Sequence, residues 1–189
     1  MKAIIFDFFG VISSEVSPFW FAERFSKEEA LILKNKYMTP ADKGEVTEEE
    51  LYDILSKLSG DTPEEIERDF EKKTVINDEL VAYIEELRKS YKVILLSNAL
   101  GSWLRKIFAR HNLERLFDEI IISSEVDMIK PNAEIFKLAL EKLNVNAKEA
   151  VFIDDNINNV IGAKNVEMHA LQYKNVQELK KELNSLFFE

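Results

Sequence analysis

The chain has 189 residues, 46% of them apolar, and no cysteine, which allows one well-filled core and excludes disulfides, thiolate metal sites and a thiol nucleophile. Its 35 acidic and 25 basic residues leave a net charge of −10, without the basic stripe of a duplex nucleic-acid binder. The apolar run after Met1-Lys2 is too short for a signal-peptide core or a membrane span. The expectation is a cytoplasmic protein with neither membrane nor nucleic acid as partner, its oligomeric state open.

Residues 2–6 form a short apolar run that ends at Asp7, with Gly10 just beyond. Such a run predicts a fully buried strand that delivers Asp7 to its C-terminal end. Residues 14–78 then carry helical patterns only, over 18–36, 47–58 and 62–73. Thr47 with Glu50 forms a capping box, and Thr62-Pro63 with Glu65 a helix start. Leu80, Ile84 and Leu87 repeat at helical spacing before a second apolar run, 93–96, which ends at Ser97-Asn98. A helix through Trp103, Leu104, Ile107 and Phe108 leads to a third run, 120–122. Pro131 opens the next helical pattern, from Ile135 to Leu143, with Pro131 itself expected in its first turn. A fourth run, 150–153, ends at Asp154-Asp155, and 169–171 reads as a short fifth. Val176, Leu179, Leu183 and Leu186 mark a final amphipathic helix.

Alternating strands and helices predict an α/β fold, a Rossmann-like parallel sheet with right-handed crossovers. Residues 1–13 and 79–189 form its core, and residues 14–78 a small inserted helical cap. Ligands in such sheets bind beyond the carboxyl ends of the strands. Asp7, Ser97-Asn98, Lys130 and Asp154-Asp155 all fall there or on the segments leading away.

These segments carry a resemblance. Ile5-Phe6-Asp7-Phe8-Phe9-Gly10-Val11, Leu95-Leu96-Ser97-Asn98, Lys130-Pro131 and Phe152-Ile153-Asp154-Asp155 resemble, in order and spacing, the four motifs of the haloacid dehalogenase-like superfamily. Each motif alone is weak; the set of four is specific and spans the chain. Gly44-Glu45-Val46-Thr47, together with Asp154, Asp155 and Asn159, is similar to the branch of sugar-phosphatase-like proteins and epoxide-hydrolase N-terminal domains. The resemblance implies a Mg²⁺-dependent hydrolase acting on a small phosphomonoester such as a sugar phosphate. Asp7 would be the nucleophile that forms an aspartyl-phosphate. Ser97, Asn98 and Lys130 would bind phosphate, with Lys130 also anchoring Asp7. Asp7, the Phe9 carbonyl, Asp155 and Asp154 would serve the metal, and Asn159 would hold a metal-bound water. A carboxylate is a poor nucleophile unless it is positioned and its target polarised, which these groups would do.

One departure matters. Most phosphatases of the family carry a second Asp two residues after the nucleophile, which protonates the leaving group; here Phe9 stands there. A positioned general acid is worth about 10²–10⁴-fold in rate. Three readings follow: a phosphatase that manages without that acid, a metal-independent 2-haloacid dehalogenase, which has an aromatic residue at this position, or a nearly inactive protein that binds a phosphorylated ligand. Adjacent carboxylates at Asp154 and Asp155 repel unless a cation sits between them, which favours the first reading. Elsewhere, Arg24 and Arg68 read either as substrate contacts or as a solvated face. Phe19, Trp20, Phe21 and Phe25 read as packing, and His111 and His169 carry no chemistry.

Overall fold

The computed structural model describes residues 1–187. Five strands, β1 (Ala3–Phe6), β2 (Lys92–Ser97), β3 (Glu119–Ile122), β4 (Ala150–Asp154) and β5 (His169–Gln172), form one parallel sheet in the order β3-β2-β1-β4-β5. β1 is therefore central, with Phe6 opposite both Leu95 and Ile153. The run that carries Asp7 is thus flanked by the runs that end at Ser97 and at Asp154.

Side chains alternate across the sheet and fill two cores. Ile4, Phe6, Val93, Leu95, Val151 and Ile153 point to one face. Ala3, Ile5, Ile94, Leu96, Ala150 and Phe152 point to the other. Burial on both faces explains why these strands read as unbroken apolar runs. Each of the larger of these side chains contributes about 1.5–3 kcal/mol by leaving water. The first face is covered by α5 (Asp78–Leu87), α6 (Gly101–His111) and α10 (Val176–Phe187), and the second by α8 (Ala133–Leu143) and α9 (Ile157–Asn165). A short helix, α7 (Ser123–Val126), follows β3.

Between β1 and α5 stand α1 (Ser17–Ala22), α2 (Lys27–Asp42), α3 (Glu48–Ser59) and α4 (Pro63–Lys73). The expected capping box at Thr47 is present, and the expected helix start at Thr62 forms a capping box as well. Two local expectations change. The pattern over 18–36 is two helices, because Ser26 caps α2 and forms its own box with Glu29. The helix after Pro131 begins only at Ala133, with Asn132 at its N-cap, so Pro131 lies before it. Among the described residues no helix is long and apolar enough to cross a membrane.

Candidate active site

Asp7 leaves the central strand with its N–H still bonded to the Ile153 carbonyl (2.9 Å). Its Oδ1 accepts the Phe8 N–H (2.7 Å) and pairs with Lys130 Nζ (2.8 Å). The other oxygen, Oδ2, has no hydrogen-bond partner among the described residues. The chain then turns tightly, with the Phe8 carbonyl accepting from Val11, Ile12 and Ser13. Gly10 makes this turn at φ +79°, and a Cβ there would lie 2.4 Å from Asp155 Oδ2. A side chain at position 10 would be strained and would push Asp155 from its place. Among the described residues no N–H donates to the Phe9 carbonyl.

Lys130 is buried, and its ammonium bridges Asp7 and Asp154 Oδ2 (2.7 Å). Asn98 fixes its backbone from both sides: Asn98 Nδ2 donates to the Lys130 carbonyl and Lys130 N–H donates to Asn98 Oδ1, both at 2.9 Å. The structure thereby gives Asn98 a clamping task that its place after β2 did not reveal. Asp154 is wholly buried, and besides Lys130 it accepts from Asn159 Nδ2 (3.0 Å) and the Asn156 N–H (2.8 Å). Asp155 is less enclosed and keeps its carboxylate free of side-chain donors. Ser97 Oγ is fully buried with no partner.

Asp7, Asp154 and Asp155 can each turn one oxygen to within 4.8 Å of the others. Burial first, and then the charge of Asp154, push the Asp7 carboxyl well above its ordinary range, while Lys130 opposes them. Asp155 is raised by the same two causes. Burial alone would lower Lys130, but Asp154 and Asp7 outweigh it and hold its pKa up. Three carboxylates thus cluster around one ammonium, which pairs with two of them. That excess of negative charge, the unshared Asp7 Oδ2 and the free Phe9 carbonyl suit a hard divalent cation with oxygen ligands. The orphaned Ser97 hydroxyl suits an anion oxygen, since a buried polar group without a partner is costly.

Above this cluster opens a cavity of about 850 Å³, the solvent at its mouth included. Part of its lining is apolar: Phe9 stacks on Trp103 (5.0 Å, 10° between planes), Phe70 meets Trp103 at 5.3 Å, and Met38, Leu51 and Tyr52 also line it. Phe9 therefore belongs to the cavity wall as well as to the packing. Glu15, Lys34 and Asp42 line it too, three charged residues that the sequence reading does not single out. Among the described residues none of these three has an ion-pair partner within 4.0 Å. Arg24 does not reach the cavity: it pairs with Asp61 (2.7 Å) and Asp69 (2.6 Å) and lies 4.3 Å over Trp20. Arg68 bonds the Glu64 carbonyl on its own helix.

Burial raises Asp42 from 3.8 to about 7; Glu15 adds to the rise, and Lys34 and Lys130 oppose it. The folded state thus binds this proton more tightly than the unfolded state. The resulting stabilisation is full below the unfolded value and is lost as pH rises through the folded one. Its ceiling is about 4 kcal/mol, less after allowance for water at the cavity mouth. Asp42→Asn is therefore expected to gain on wild type by about 1–3 kcal/mol between pH 5 and pH 8 in urea unfolding. A constant difference across that range would place the carboxyl in ordinary solvent.

A doubly covered parallel sheet that gathers an acid, a lysine and an acid pair beyond its central strands, under inserted helices, defines a haloacid dehalogenase-like hydrolase. The chain belongs to that family, whose model matches residues 1–167. It is 26% identical to a sesquiterpene phosphatase of Aspergillus oryzae over 90% of this chain and 88% of that protein. It is 24% identical to a drimenol cyclase of Aspergillus calidoustus over 77% of this chain, and the match spans only 29% of the cyclase. A haloacid dehalogenase family enzyme of Bacteroides thetaiotaomicron, solved with magnesium and inorganic phosphate, shares the fold at TM-score 0.79 and 24% identity, covering 95% of this chain and 98% of that one.

Proposed function

We propose that this hydrolase is a Mg²⁺-dependent phosphatase that passes the phosphoryl group of a small phosphomonoester to Asp7 and then to water. The observation that carries the reading is the state of Asp7. One oxygen is anchored by Lys130 and the Phe8 N–H, the other has no hydrogen-bond partner among the described residues, and Asp7 clusters with Asp154 and Asp155. A nucleophile needs such a held carboxylate with one oxygen free. Asp7, the Phe9 carbonyl and Asp155 would hold the metal. Asp154 supports it mainly by holding Lys130, because its carboxylate already takes three hydrogen bonds. Bound magnesium supplies positive charge against the transferring phosphoryl oxygens. Ser97 donates to one of these oxygens, Lys130 balances the remaining charge, and Asn98 keeps Lys130 in place.

Residues 14–78 act as a cap over the core of residues 1–13 and 79–189, closing over the site to exclude water and select the substrate. The similarity to the sesquiterpene phosphatase and the apolar part of the lining support an organic group with apolar surface rather than a bare sugar.

Hydrolysis of p-nitrophenyl phosphate with Mg²⁺, and again with EDTA, tests the reaction, with chloride release from 2-chloropropionate run in parallel. Nitrophenol release that EDTA abolishes is expected. Metal-independent halide release would instead make Phe9 the mark of a dehalogenase. Mg²⁺ is also expected to raise the melting temperature, since a ligand at 100 times its Kd adds about 2.7 kcal/mol. An unchanged melt at millimolar Mg²⁺ would count against the metal site.

A further inference from the structure

We propose that Asp42, at the end of the second inserted helix, is the acid that protonates the leaving alcohol, replacing the carboxyl that Phe9 displaces beside the nucleophile. The inference rests on the phosphatase reading and adds to it the group that completes the first step.

Phe9 cannot supply the proton, and its ring is committed to the stack on Trp103. Apart from the Asp7 cluster, the carboxylates lining the cavity are Glu15 and Asp42. Tyr52 also lines the cavity, and burial first, then the charge of Glu48, hold its pKa above the usual phenol range. Glu15 feels Asp155 as its strongest charged neighbour, so a cation at Asp155 would favour its ionised form. Asp42 is different. Its charged neighbours are Lys34, Glu15 and Lys130, none of them a proposed metal ligand.

Asp42 is also held at a set depth. Its carbonyl accepts from Ser123 Oγ, which in turn takes the Ala99 N–H (3.0 Å) next to Asn98. Two residues on, Gly44 (φ +75°) presses its backbone against Ser124, where a Cβ would lie 2.7 Å from the Ser124 carbonyl oxygen. The end of α2 is therefore docked on the core beside the loop that follows β2. Its place in the last turn of α2 adds the negative end of the helix dipole, which further disfavours the anion. With its pKa raised to about 7, the carboxyl is about half protonated at neutral pH, the condition for an efficient general acid.

The step balances. Asp7 Oδ2 forms a bond to phosphorus as the ester P–O bond breaks, and the Asp42 carboxyl gives its proton to the departing alkoxide oxygen. Water then attacks phosphorus, the Asp7–phosphorus bond breaks, and the water proton returns to Asp42 as inorganic phosphate leaves.

The test compares kcat/KM for a simple alkyl phosphate with that for p-nitrophenyl phosphate, whose leaving group needs no proton. Asp42→Asn is expected to lower the alkyl value by about 10²–10⁴-fold and the nitrophenyl value by less than about threefold. The wild-type decline of the alkyl value above neutral pH should vanish in the variant, and Glu15→Gln should keep the wild-type ratio of the two substrates. Wild type alone gives a second reading that needs no variant: dependence on leaving-group pKa should be shallow at pH 6 and steep at pH 9. Equal losses on both substrates, a selective loss in Glu15→Gln instead, or a leaving-group dependence that ignores pH would each overturn the assignment. Wild type that hydrolyses only the nitrophenyl ester would overturn it too, while absence of both activities would remove the phosphatase reading beneath it.

Discussion

Asp7→Asn is expected to abolish phosphoryl transfer, with a loss of about 10⁴-fold or more, roughly 5 kcal/mol of barrier, while the fold stays intact. The side chain sits where the central strand ends, so substitution removes the attacking oxygen without disturbing the ladder below it. Asparagine keeps a carbonyl oxygen that can accept from the Phe8 N–H and from Lys130, as Oδ1 does now. The charge it removes is one the fold resists, because burial and Asp154 both favour the neutral form. Stability should therefore hold near pH 5 and rise relative to wild type toward pH 8, because in wild type the unfolded state gives up this proton more readily than the folded state does. Three measurements check this: turnover, urea unfolding at the two pH values, and labelling of the protein from radioactive substrate. Wild type should trap a phosphoryl group and the variant none. Substantial turnover by a folded variant would show that the phosphoryl group never passes through residue 7.

The placement of Asp7 was legible because a strand buried on both faces has no polar residues to blur its limits. The run 3–6 is apolar throughout, and the first acid after it must lie at its end. Ser97 and Asp154 follow for the same reason, and parallel neighbours in register bring the three together. Lys130 has no such signal in its own sequence. Its position depends on the Asn98 clamp, formed between residues 32 apart in the chain; the strand pattern brought its segment near the site, and only the resemblance gave the side chain a role. Glu15, Lys34 and Asp42 were missed because charged residues on loops and helices read as solvated. Their partial burial comes from packing of the inserted helices on the core, which no local pattern encodes. The break between α1 and α2 was open to detection, since Ser26 and Glu29 have capping-box spacing. Continuous helical periodicity across it hid the stop.

Lys130→Met is expected to destabilise the protein by about 3–5 kcal/mol at neutral pH, the usual cost of stripping a buried charge group of its partner. Methionine fills much of the same volume, and the lysine ammonium lies 5.2 Å from the Phe152 ring, so the replacement meets an apolar neighbour it can pack against. Lost packing is therefore a small part of the effect. The larger part is electrostatic: Asp7 and Asp154 lose the cation they share, while Asp154 keeps only the neutral donors Asn156 and Asn159. The sign of the pH dependence follows. Without Lys130 the folded-state pKa of Asp7, already raised, rises further above its unfolded value of 3.8. The folded variant then binds more protons than the unfolded one, so its deficit should shrink as pH falls from neutral toward the unfolded value. Added Mg²⁺ should also recover part of the loss, because a divalent cation at Asp7 and Asp155 supplies positive charge to the same cluster. Urea unfolding near pH 5 and pH 7.5, with and without Mg²⁺, separates these contributions. A deficit indifferent to both pH and Mg²⁺ would mean that Lys130 acts through packing, and that the acid cluster does not depend on its charge.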